Sequence, residues 1–151
     1  MFNLKNTLSQ APSEHIRGNT DSLGASVSGM PETSFDKERE YDKEKFNPRA
    51  FHIDDVQKTV LGYFEPGQFI PVHAPDSTLT VVMHEGGGIV RDGDDEHKVE
   101  AGNVVVVPAG NERGVRAGDE GIEAALVVSP PPTEADHEKV REGLRKGVFE
   151  P

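Results

Sequence analysis

Two runs of β-forming residues, from Gly62 to Ile89 and from Gly102 to Val115, constrain this chain more than anything else in it. Glycine and proline punctuate both runs at short intervals. Glu65-Pro66-Gly67, Pro75, Gly86-Gly87-Gly88 and Pro108-Ala109-Gly110 each interrupt a stretch rich in Val, Ile, Leu, Phe and Thr. Glycine supplies the positive φ of tight turns and proline cannot donate to a ladder, so such punctuation cuts a chain into short strands. The pattern predicts a small antiparallel barrel or sandwich whose functional groups gather at one mouth.

Taken in order, the strands fall at Phe51 to Val56, Lys58 to Phe64, Gln68 to His73 and Leu79 to Glu85, the last stopped by the glycine triplet. Asp92-Gly93-Asp94-Asp95 reads as a tight hairpin turn between Ile89 to Arg91 and Glu96 to Val99. Val104 to Val107 has no polar alternation, which predicts burial on both faces. Gly114 to Ala117 and Glu123 to Val128 complete about eight to ten strands.

The ends differ in kind. Residues 1–46 are polar, with apolar side chains too sparse to hold a period, and read as a flexible tail in which Ser34 to Lys45 is at most a transient helix. Asn47-Pro48 marks the boundary of a barrel domain spanning residues 47–130. Residues 131–151 form a C-terminal segment. There Thr133 is a good N-cap, Glu134 and Asp136 fill the first turn of a helix, and Arg145 and Lys146 fill its last before Gly147. Val140 and Leu144 share the face expected to dock on the barrel, with Phe149 beyond.

Charge and cysteine content exclude several classes of function. The count of 27 acidic against 16 basic residues gives −11, which repels phosphate backbones and anionic membranes, so neither nucleic acid nor a membrane is an expected partner. Acidity spread through the turns also fits a halophile protein that must stay hydrated in high salt. With no cysteine there is no disulfide, thiolate metal site or thiol nucleophile. The first twelve residues hold no continuous apolar run and no stretch is long enough to span a bilayer, so a cytoplasmic location is expected.

The turn residues carry a resemblance. Pro66-Gly67, His73 and a glycine of the triplet match the first motif of the cupins, the double-stranded β-helix jelly-roll family; Gly102, Pro108 and Gly110 match the second. The chain resembles a single-domain, type-2-like cupin with most metal ligands replaced. The resemblance implies an all-β jelly-roll barrel and, commonly, a homodimer formed through outer sheets. In metal-containing cupins two histidines and a glutamate of the first motif join a histidine of the second around Fe, Mn, Ni or Zn. Here only His73 remains: Pro75 stands at the second histidine, Leu79 or Thr80 at the glutamate, and Arg113 at the last histidine. A lone imidazole cannot hold a catalytic ion that typically takes about three protein ligands, so no metal cofactor is expected.

The glycine triplet leaves the strand register open. One register turns Leu79, Val81, Met83 and Glu85 inward; the other turns Thr80, Val82 and His84 inward, where His84 could join His73 in a rebuilt metal site. Following the family's geometry, Arg113 points into the mouth beside His73. There its charge needs a carboxylate, carbonyls or an anionic ligand, and Glu112 and Glu85 are the candidate internal partners; the other reading is an exposed side chain. The expected ligand-binding residues are therefore His73, Arg113, Met83 and Glu85, in a pocket lined by valines, Met83 and Phe residues. The partner is a small molecule carrying a carboxylate or phosphate. A sensing or binding module is the leading reading. The alternatives are a cofactor-independent isomerase or a dioxygenase with unusual ligands, and an assembly role as a dimer.

Overall fold

Glycine shapes the barrel's corners. The computed structural model describes residues 32–151. Its strands are β1 (Asn47–Ile53), β2 (Lys58–Phe64), β3 (Phe69–His73), β4 (Thr78–Asp92), β5 (Asp95–Glu100), β6 (Val104–Val107) and β7 (Arg113–Ser129). A one-turn helix α1 (Phe35–Glu38) precedes them and α2 (Glu134–Lys146) follows. Every pairing is antiparallel, in the order β1-β2-β7-β4-β5, with β3 on β7 and β6 on β4.

β4 and β7 are long because each belongs to both walls. The first half of β4 lies between β6 and the second half of β7, and its second half lies between β5 and the first half of β7. The glycine triplet therefore does not stop a strand, contrary to expectation; it bends one. At Gly86, φ is +81° and a Cβ would stand 2.0 Å from the Gly121 carbonyl oxygen, while a Cβ on Gly88 would stand 2.0 Å from that of Arg116. Backbone approaches backbone too closely there for any side chain. Likewise residues 114–117 and 123–128 are two halves of the one strand β7.

The interior is a packed core. Leu79, Val81 and Met83 of β4 alternate inward against Val128, Leu126 and Ala124 of β7, with Val107, Val90, Val115 and Phe64 closing around them. This selects the register that turns Leu79, Val81 and Met83 inward. A valine-lined, open pocket containing Met83 is not formed: Met83 is 2% exposed within the core cluster. Val104 to Val107 is also not buried on both faces. Val105 and Val107 face inward, whereas Val104 and Val106 are 59% and 52% exposed on an edge strand.

β1 begins at Asn47, earlier than Phe51, so Asn47-Pro48 lies within a strand; Pro48 is accommodated because β1 is an edge. The segment before it is not a free arm where it is described. Ser34 caps α1, the Tyr63 hydroxyl donates to the Phe35 carbonyl at 2.8 Å, and Gln68 Nε2 donates to the Asp42 carbonyl at 2.7 Å. Phe46 is buried and stacks on Phe64 with ring centroids 5.3 Å apart. The rest of the expected tail, residues 1–31, lies outside the described residues.

The C-terminal helix matches its sequence signals. Thr133 and Asp136 form a reciprocal capping box, and Gly147 closes the end in left-handed geometry at φ 69°. Val140 and Leu144 pack on the core, and a Cβ on the buried Gly143 would meet Pro71 of β3 at 2.5 Å. Phe149 meets Phe69 edge-on, lies under the Arg116 guanidinium, and accepts the Val72 N–H at its carbonyl.

Candidate functional site

β3 and β7 bring the two predicted anchors together. His73 and Arg113 are direct partners in the ladder, and directly opposed residues project to the same side of a sheet. Arg113 alternates with Val115 and Ala117, all buried, so this side is the barrel interior at the end of the core. A register irregularity between Ile70 and His73 frees Val72 to bond Phe149, and it puts the Pro71 carbonyl 2.8 Å from His73 Nδ1.

Arg113 is 5% exposed, and its Nη1 donates to the Ser77 carbonyl at 2.7 Å. Among the described residues its side chain makes no other hydrogen bond and no ion pair. Neither expected internal partner, Glu112 or Glu85, pairs with it, and Glu85 is exposed. Glu112 pairs with Arg91 at 3.1 Å, and Asp92, which faces Arg113 from β4, turns to His97 at 3.2 Å and Asn111 at 3.3 Å. Asp136 on α2 contributes only a longer-range favourable field. Burial pushes the guanidinium down to about 10, still far enough above neutrality to keep it charged. The only sealed, unpartnered side-chain nitrogen among the described residues is Arg49 Nε, so no orphaned donor of Arg113 is locked in the core.

His73 is half-buried. Its pKa falls below the usual imidazole range chiefly through burial, with the Arg113 charge adding to the effect against the Pro71 bond and Asp136. A carbonyl only accepts, so Nδ1 carries the proton and Nε2 presents a lone pair.

The other predicted residues stand apart. Met83 belongs to the core. Glu85 does not face the interior: the ladder shifts between Met83 and Glu85, leaving Glu85 exposed opposite Glu123 on the outer face. His84 falls in that shift, is exposed, and stacks on Phe35 with centroids 4.1 Å apart, so it does not join His73. Two surface grooves, of about 510 Å³ beside Gln68 and Arg145 and about 400 Å³ between β5 and β6, do not include His73 or Arg113.

Sequence reasoning missed Ser77, whose carbonyl holds Arg113, and a second cluster on the outer face. There Glu123, 3% exposed, accepts from Arg39 Nε at 2.6 Å, Arg39 Nη2 at 2.9 Å and Tyr41 Oη at 2.7 Å. Phe35, Tyr41 and Phe46, aromatic in an otherwise polar stretch, were the available signal.

No family model matches the sequence, and no curated protein is significantly similar to it. Solved structures are. TT1209 of Thermus thermophilus is 26% identical with TM-score 0.65, over 68% of this chain and 100% of that one. An RmlC-like cupin protein of Desulfovibrio desulfuricans is 28% identical with TM-score 0.60, over 68% of this chain and 98% of its own. The chain belongs to the cupin superfamily. An RmlC-like cupin from Shewanella frigidimarina, 20% identical with TM-score 0.58 over 68% of this chain, shares the fold.

Cupins that bind a divalent ion need converging imidazole and carboxylate donors, and the residues present in this cupin do not fit one. His73 is the single donor at the motif position, Arg113 sets a positive charge beside it, and among the described residues no group of His, Asp or Glu is arranged to hold a metal.

Proposed function

We propose that this cupin is a small-molecule-binding or sensing module whose ligand carries an anionic group held by Arg113 beside His73. One observation carries the reading: a cation 5% exposed has a single carbonyl partner and no ion pair among the described residues. A buried charge is stable when paired, and a guanidinium matches a carboxylate or phosphate through paired N–H bonds. The interior is filled, so the site is a shallow one at the barrel mouth and suits a small ligand. The test is calorimetric titration of the full chain with acetate and inorganic phosphate. Binding should be measurable in the wild type and lost in Arg113→Met with the fold intact by circular dichroism; unchanged binding in that variant would sink the proposal.

An assembly role is the second reading, favoured by one feature of the outer face. Val82, Val104 and Val106 are 40%, 59% and 52% exposed, and Val82 and Val104 are ladder partners. An uncharged valine face on a chain of net charge −11 is where two copies could meet without repulsion.

A further inference from the structure

The Arg113 and His73 pair offers two different kinds of group to whatever lies between them. We propose that the preferred ligand class is a 2-hydroxy carboxylate, with its carboxylate on the Arg113 guanidinium and its hydroxyl donating to His73 Nε2. This rests on the anion-binding reading of the same site and adds the second contact.

The argument starts from the backbone. His73 and Arg113 are opposed across the β3 and β7 ladder. Opposed Cβ atoms stand about 5 Å apart, so the two side chains can bracket neighbouring atoms of one small molecule. Arg113 can only donate. What it binds must be an acceptor, and its charge favours an anion.

His73 would be a second donor if it were protonated, and a pair of donors would select a diacid or a phosphate diester. The geometry argues otherwise. Nδ1 lies 2.8 Å from the Pro71 carbonyl, which fixes the proton on that nitrogen and leaves Nε2 as a bare acceptor. Burial lowers the ring's pKa below the usual imidazole range, Arg113 from β7 and His137 from α2 adding to it against the Pro71 bond and Asp136 from α2. Asp136 is itself held in the capping box by Thr133. A donor on one side and an acceptor on the other complement a molecule that carries an acceptor and an O–H on adjacent carbons.

Specificity should then come from the hydroxyl. A site built to accept an O–H leaves Nε2 without its partner when the hydroxyl is absent, and one such hydrogen bond corresponds to about 10-fold in affinity. Lactate and propionate differ by that hydroxyl alone and are the probes.

The experiment is titration of the full chain with lactate and with propionate at one ionic strength, read by calorimetry and by ¹⁵N shifts of the His73 ring. Lactate should bind about 10-fold more tightly and shift the Nε2 resonance, while propionate leaves that resonance in place. His73→Phe should lower lactate affinity to that of propionate and leave propionate unaffected, and Arg113→Met should remove both. Equal affinities in the wild type, or a lactate preference that survives His73→Phe, would overturn the hydroxy-acid assignment and leave the anion site standing. Absence of binding by both probes would overturn the anion reading itself. The wild-type comparison decides even if Arg113→Met fails to fold.

Discussion

His73 titrates against its surroundings, and the sign of that effect is testable. Burial and the Arg113 charge lower its pKa in the folded chain, and burial lowers that of His137 as well. A folded pKa below the unfolded value of about 6.5 means that the unfolded chain takes up protons first as the pH falls. Stability from these residues is therefore complete above that value and lost as the pH falls through the folded pKa. Denaturant midpoints at pH 7.5 and pH 5 should differ less in His73→Gln than in the wild type, and least in the double variant with His137→Gln; an unaltered difference would show that neither ring is held neutral. The ladder pairs His73 with Arg113, and the sequence, through its cupin resemblance, placed them side by side. It could not supply the Pro71 and Ser77 carbonyls, since main-chain acceptors leave no trace in residue identity, and it misplaced Glu85 because a ladder shift changes the facing of every residue beyond it.

The elements divide by whether their signals are local. Helix α2 was legible to the residue, because Thr133, Asp136 and Gly147 act within a turn of where they stand. The hairpin at Gly93, with φ 65°, was legible for the same reason. The Gly86 to Gly88 triplet was not, because a glycine that ends a strand and one that bends it differ only in what packs against them. Gly86 and Gly67 separate these roles. Both have positive φ, but a Cβ at Gly67 meets nothing within 4 Å whereas one at Gly86 strikes backbone at 2.0 Å. Gly67→Ala should cost about 1–2 kcal/mol from backbone conformation alone. Gly86→Ala should cost markedly more and can prevent folding, as measured by equilibrium unfolding. Similar losses at the two positions would mean that the corner is softer than its contacts imply.

Across the whole molecule, the acidic surface and the valine face set what the protein can meet. No helix among the described residues is long and apolar enough to cross a membrane. The net charge of −11 works against anionic ligands at a distance, so the Arg113 site must act by short-range contact, and weak steering at low salt follows. The valine face leads to the opposite salt response for self-association. If two copies meet there, light scattering should show a dimer that strengthens with added salt, and Val104→Lys with Val106→Lys should return it to monomer without lowering anion binding. A dimer untouched by those changes would place its interface elsewhere. A small antiparallel barrel was legible from turn chemistry and its jelly-roll form from the cupin resemblance, whereas the outer faces depend on which segments lie over them.

The segment ending at Phe46 draws a boundary different from the one its composition suggests. Tyr63 and Glu123 point out of the barrel yet are 0% and 3% exposed, because Phe35, Arg39 and Tyr41 roof them. Trimming the chain to begin at the first strand would lay bare a tyrosine and an unmatched carboxylate, so the stretch from Phe35 to Phe46 belongs with the barrel it covers.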